Sequence, residues 1–204
     1  MKTKSPDRFE KAKKVFRNQG GVLKTGEALS AGIHPRTLYE MEKSGALEKL
    51  SRGLYRLTDL PPLGNPDLVS VALKVPNAVI CLISALAYHK ITTQIPHEVY
   101  LALARGAEPP RMEYPPIRIF WFSADAFTKG IDKCELDGVQ VRIYSPEKTI
   151  VDCFKYRNKI GLDIAIEALK LYRERQHFKL DELMRFAQVC RVEKVMKPYL
   201  EALL

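Results

Sequence analysis

Residues 24–56 hold the side chains in this sequence best suited to grip a phosphate backbone or read a base edge. Arg36, Tyr39, Glu40 and Lys43 fall together at about 100° per residue, on the side of a helix away from Leu38 and Met41. Thr37 is counted with this outward group, and His34 stands just before it. A face of Arg, Tyr and Lys near a helix N-terminus suits the major groove of duplex DNA, where a guanidinium can grip a guanine edge with two hydrogen bonds. Arg36 and Tyr39 are expected at base edges. Lys24, Thr25, Arg52 and Arg56 are expected on phosphates, contacts that orient a protein on DNA without specifying sequence.

Those side chains need a scaffold, and Leu23 to Leu57 spells one out. Thr25 is a suitable cap for a short helix, GEALSA, which Gly32 ends. His34 and Pro35 start a second helix, with proline where its missing N–H is no loss. Ile33 and Leu38 have the spacing of a hydrophobic staple. The helix is expected to reach Ser44 and stop at Gly45. ALEKL and GLYRL then read as two short strands joined by Ser51-Arg52-Gly53, with Arg52 at the tip. Leu54 and Leu57 are expected inward and Arg56 outward. Two helices followed by a two-stranded wing make a winged helix-turn-helix. Upstream, Phe9, Ala12, Val15 and Phe16 repeat at helical spacing, and Gly20-Gly21 stops that helix. Lys11, Lys13 and Lys14 are read as a solvated face. A basic helix face alone would be read the same way. Helix spacing, turn glycine, basic outer face and Arg-tipped hairpin together favour DNA binding.

Charge supports the same end of the chain. The 204 residues carry a net +9. Residues 1–60 hold 13 Lys and Arg against 7 Asp and Glu, and the remainder holds 20 against 17. A basic segment that neutralises phosphates releases counterions, so its binding depends on salt.

Asp59-Leu60-Pro61-Pro62-Leu63-Gly64 breaks the pattern, because two prolines cannot continue a strand ladder. The expected division is a DNA-binding head over 1–58, a linker over 59–65 and a second domain over 66–204. In that second domain Asn65 is expected to cap a helix from Pro66. HEVYLAL and IRIFWFS read as strands, and Asp137-Gly138 as a hairpin turn. Arg105 to Pro116, with four prolines, reads as an exposed loop. From Ser145 the periodicity is helical to the end, and Pro198 is expected to kink or split the last helix. The fold class is therefore α+β: a winged helix-turn-helix, then a small mixed sheet with a C-terminal helical bundle.

Several functions are excluded by what the sequence lacks. It has no phosphate-binding glycine loop, dinucleotide fingerprint, nucleophile elbow or zinc-protease motif. No Asp or Glu is followed two residues later by Lys, the pattern of restriction-type nucleases. Cys81, Cys134, Cys153 and Cys190 are scattered, as are His34, His89, His97 and His177, so no metal site is expected. Asp132, Glu135 and Asp137 read as a solvated acidic turn. No catalytic residue, metal or cofactor is assigned. No apolar run is long enough to span a membrane, and the N-terminus has no secretory core. The expectation is a cytoplasmic protein with buried free thiols.

Two sets of segments carry a family resemblance. In the head it rests on VFRNQGGVLKTGEALSAGIHPRTLYEMEKSGALEKLSRGLYRL, and above all on Gly45-Ala46-Leu47 through Leu50-Ser51-Arg52-Gly53-Leu54-Tyr55. In the second domain it rests on ISALAYHKI, HEVYLALARG and IYSPEKTIVDCFKYRNKIG. The chain resembles the AbiEi-like antitoxins of bacterial type IV toxin–antitoxin systems. The resemblance implies a repressor that binds its own promoter and a C-terminal domain that counters a nucleotidyltransferase-like toxin encoded beside it. Two other readings compete. One is a winged-helix regulator whose second domain senses a ligand or partner, with no toxin involved. The other is a DNA-directed nuclease or nucleotide-modifying enzyme, which the absent motifs disfavour.

Overall fold

The computed structural model describes residues 5–203, with side chains from Asp7 to Leu203. Three helices and a small sheet come first: α1 (Ser5–Asn18), β1 (Val22–Lys24), α2 (Thr25–Ser30), α3 (Pro35–Lys43), β2 (Leu47–Ser51) and β3 (Leu54–Leu57). Phe16, Ala28, Ile33, Leu38, Met41, Leu47 and Leu57 close one apolar cluster among them. The expected two-stranded wing is instead part of a three-stranded sheet, in the order β1-β3-β2. The added strand, VLK, is too short to show an alternation of its own. Its pairing with β3 comes from the tertiary fold.

The cap of α2 also differs from expectation. Lys24, not Thr25, occupies the capping position, and its N–H donates to the Glu27 carboxylate at 2.8 Å. Thr25 opens the helix, and its N–H donates to Gly53 O at 2.9 Å. That bond straps the hairpin tip onto α2. Gly53 has φ +72, and a Cβ there would lie 3.3 Å from Thr25 Oγ1, so glycine is well suited to this approach.

The rest of the described chain builds a second layered unit. It comprises α4 (Pro66–Lys74), β4 (Val79–Ile80), α5 (Leu82–Tyr88), β5 (Val99–Ala104), β6 (Ile117–Phe122), α6 (Ala124–Thr128), β7 (Ile131–Leu136) and β8 (Val139–Tyr144). Five helices follow: α7 (Pro146–Lys155), α8 (Arg157–Ile160), α9 (Leu162–Arg173), α10 (Leu180–Cys190) and α11 (Glu193–Leu203). The sheet is mixed, in the order β6-β5-β4-β8-β7, with β5/β6 and β4/β8 parallel. Strand alternation sends Val99, Leu101 and Leu103 to a cluster with α4, and Tyr100 and Ala102 to a cluster with α5 and α7. Asp137 and Gly138 both have positive φ, as a tight two-residue hairpin requires.

Asn65 sits at the start of α4 but makes no capping bond with its side chain. Helix α11 runs through Pro198 without being split, since burial of Met196 and Leu200 offsets one lost hydrogen bond. Helix α7 is the hub. Its start is as expected: Ser145 Oγ accepts from Lys148 N–H, with Pro146 in the first turn. Every residue from Glu147 to Phe154 is buried, so that stretch has no solvent face.

Three of those residues are charged, Glu147, Lys148 and Asp152, and the last two pair with each other. Lys148 Nζ and Asp152 Oδ2 are 2.5 Å apart, and both side chains are fully buried. Lys148 Nζ also lies 4.1 Å from the Tyr144 ring centroid and 5.0 Å from that of Phe122. Cys190 Sγ donates to Asp152 Oδ1 at 3.4 Å. Burial raises the Asp152 carboxyl above its ordinary pKa, and the Lys148 ammonium opposes that shift. Gly130, with φ +77, leaves room for the lysine: a Cβ there would sit 2.8 Å from Lys148 Cβ and Cγ.

Lys148→Met leaves Asp152 buried without its partner and should cost about 3–5 kcal/mol of stability. Lys148→Met with Asp152→Leu should recover most of that loss. Urea denaturation of both variants checks this, and a single-variant cost below about 1 kcal/mol would show that the pair does not hold α7 in place.

Candidate nucleic-acid interface

The outward face of α3 is the feature that the rest of the head presents to solvent. Leu38 and Met41 close the core beneath it, which fixes which way the helix is turned. His34 Nδ1 accepts from Arg36 N–H at 3.2 Å, so the imidazole serves as the cap despite its modest capping propensity. Arg36 and Lys43 are exposed, and Tyr39 is 65% exposed, the largest aromatic surface on the head. Glu40 is half-buried. It accepts from Arg36 Nε at 2.9 Å and lies 3.8 Å from Arg8. Exposed pairs of this kind are worth roughly 0.2–1 kcal/mol, so Arg36 can exchange its carboxylate for another acceptor at small cost.

Two of the residues expected at the interface are placed elsewhere. Thr37 is buried, because one helical step from Arg36 carries it into the arc of Leu38 and Met41. Arg56 is 4% exposed. Leu54 and Arg56 lie two residues apart on one strand and so share a face, which rules out Leu54 inward with Arg56 outward. The Arg56 guanidinium donates to Glu48 Oε1 at 2.6 Å and to the carbonyls of Leu60 and Pro61. It is a tether between the wing and the segment leading out of the head. Arg17 reinforces that tether through Asp59 at 2.6 Å.

The hairpin tip is exposed, as expected, and it also touches the second unit. Lys74 Nζ donates to the Arg52 carbonyl, and Arg52 lies 3.8 Å from Glu113 in the proline-containing loop. Gly64 N–H donates to the Asp137 carboxylate at 3.2 and 3.3 Å. Lys74 and Glu113 were not anticipated, since they lie 22 and 61 residues from Arg52 and no local pattern links them to it. Lys24 and Thr25 are half-exposed beside the hairpin. The structure thus brings His34, Arg36, Tyr39, Glu40 and Lys43 onto one helix, with Arg52 at the neighbouring tip, and withdraws Thr37 and Arg56.

Residues 10–58 match the family described as "Transcriptional regulator, AbiEi antitoxin". The matched span covers α1 from its second turn through β3, and so includes the exposed face of α3 and the hairpin tip. No curated protein sequence matches the chain. Among solved structures, the chain resembles the RV2827C protein of Mycobacterium tuberculosis, with a TM-score of 0.61 and 14% identity over 90% of this chain and 72% of that one. That likeness extends through the second unit and is one of fold. Among the described residues no helix is long and apolar enough to cross a membrane, and no group of three or more His, Cys, Asp or Glu could hold a metal ion.

Arg56→Ala should lower stability by about 1–3 kcal/mol, because it leaves two linker carbonyls and Glu48 without their donor. Its DNA affinity, corrected for the folded fraction, should stay within about twofold of wild type. Denaturant titration alongside fluorescence anisotropy separates the two effects, and a large affinity loss in the fully folded variant would return Arg56 to the interface.

Proposed function

We propose that this chain is a DNA-binding transcriptional autorepressor and antitoxin. Its head, a winged helix-turn-helix over residues 1–58, reads the promoter of its own operon. Its second domain, residues 66–204 after a linker at 59–65, counters a nucleotidyltransferase-like toxin encoded in the same operon. The observation that carries this reading is the solvent-facing side of α3, with Arg36, Tyr39 and Lys43 outward in a head that matches AbiEi regulators. In this docking α3 enters the major groove. Arg36 leaves Glu40 for a guanine edge, Tyr39 packs beside it, and Lys43, Lys24 and Arg52 meet phosphates. Thr25 N–H is already bonded to Gly53, so that strap holds α2 and the tip in one register on the duplex.

Arg36→Ala should weaken binding to the promoter fragment by about 1–3 kcal/mol, roughly 5- to 150-fold, with little effect on unrelated duplex. Arg52→Ala should weaken both, and reduce the salt slope by about one. Anisotropy titrations at several salt concentrations check this, and unchanged promoter affinity in Arg36→Ala would reject the docking. The antitoxin half is tested by growth. The neighbouring gene is expressed alone, with the full chain, and with the Arg36→Ala/Tyr39→Ala chain. Rescue by both chains places antitoxin activity outside the DNA-reading face. A harmless neighbour removes the toxin from the reading and leaves a promoter-binding regulator.

A further inference from the structure

A cleft of about 750 Å³ opens at the carboxyl ends of the parallel strands β5 and β6, and its lining comes from residues 105–191, away from the head. Arg105, Lys155 and Arg191 line it. Among the described residues, none of the three lies within ion-pair distance of a carboxylate. The carboxylate in the lining, Asp125, pairs on the surface with Lys129 Nζ at 2.9 Å. Cys190 also lines the cleft, and burial pushes its thiol up to about 12, so it adds no negative charge at neutral pH. The C-terminal end of α10 contributes about half a negative charge that fades within a turn, against three full positive charges.

Arg191 ends α10 with φ +58, the left-handed conformation of a helix C-terminus, where Val192 N–H donates to Ala187 O at 2.9 Å, and its side chain lines the cleft.

We propose that this cleft binds a nucleoside di- or triphosphate. Arg105, Lys155 and Arg191 hold the phosphates, with the planar guanidinium groups suited to two-point contacts with phosphate oxygens. Ser123 and Gln188, also in the lining, face the uncharged part of the ligand. The volume lies within the range that holds ligands of this size.

Isothermal titration of the full chain with ADP, inorganic pyrophosphate and adenosine tests this. ADP and pyrophosphate should bind one per chain, and adenosine should give no heat. Arg191→Asn, which tolerates the left-handed backbone, and Arg105→Gln should each weaken ADP binding about tenfold or more. Both should bind promoter DNA as wild type does. Silence with ADP at millimolar concentration overturns the proposal. So does ADP affinity unchanged in both variants, which would make the cations simple partners of helix ends. Loss of promoter affinity with ADP binding intact also overturns it, and would add the cleft to the DNA path. Arg105→Gln decides the matter should Arg191→Asn fold poorly.

Discussion

The second unit depends on a helical stretch that meets almost no water. Because α7 is covered from Glu147 to Phe154, the polar side chains there cannot be solvated and must be satisfied by the protein. Lys148 and Asp152, one turn apart, do this for each other. The Tyr144 and Phe122 rings flank the ammonium, and the Cys190 thiol takes the second carboxylate oxygen. Desolvating two ions costs several kcal/mol each, and only close geometry with further polar contacts repays it. The arrangement therefore fixes more than α7. It places Tyr144 at the end of β8, Phe122 at the end of β6 and Cys190 at the end of α10 around one point. Glu147 is held likewise, accepting from the Tyr172 hydroxyl of α9.

In the head, the equivalent constraint is directional. Leu38, Met41 and Thr37 are sealed against α1, α2 and the sheet, so α3 can present only the face bearing Arg36, Tyr39 and Lys43. The hairpin is bound on two sides, through Thr25 N–H to Gly53 and through Arg56 to the carbonyls of the outgoing segment. A helix face and a hairpin tip held at fixed spacing would need little further ordering to meet a partner. The Arg36–Glu40 pair adds only a small, salt-screened barrier. Arg52 lies between the two units, with its backbone held by Lys74 and its guanidinium near Glu113, so DNA at the wing tip would compete with a weak contact to the second unit.

The sequence by itself determined the elements whose signals are local. Pro35 after a capping residue, Gly45 after a helix, Ser145-Pro146-Glu147 and Asp137-Gly138 each act within a turn of backbone, and each lies where the spacing indicates. Helical periodicity likewise separated Arg36, Tyr39 and Lys43 from Leu38 and Met41, because 3.6 residues per turn is a property of the chain and not of its neighbours. Tertiary structure alone decided the rest. β1 became a strand because β3 offered it an edge. Arg56 turned inward because the segment at Leu60–Pro61 brought carbonyls to it. Lys148 was buried because Asp152 lay one turn away and helices from distant parts of the chain, α5, α9 and α10 among them, pack against α7. Arg105, Lys155 and Arg191 came to share a cleft across 86 residues of sequence because parallel strand ends and helix ends meet there. Pairing, burial and convergent charge depend on distances between segments, and those distances exist only once the chain has folded.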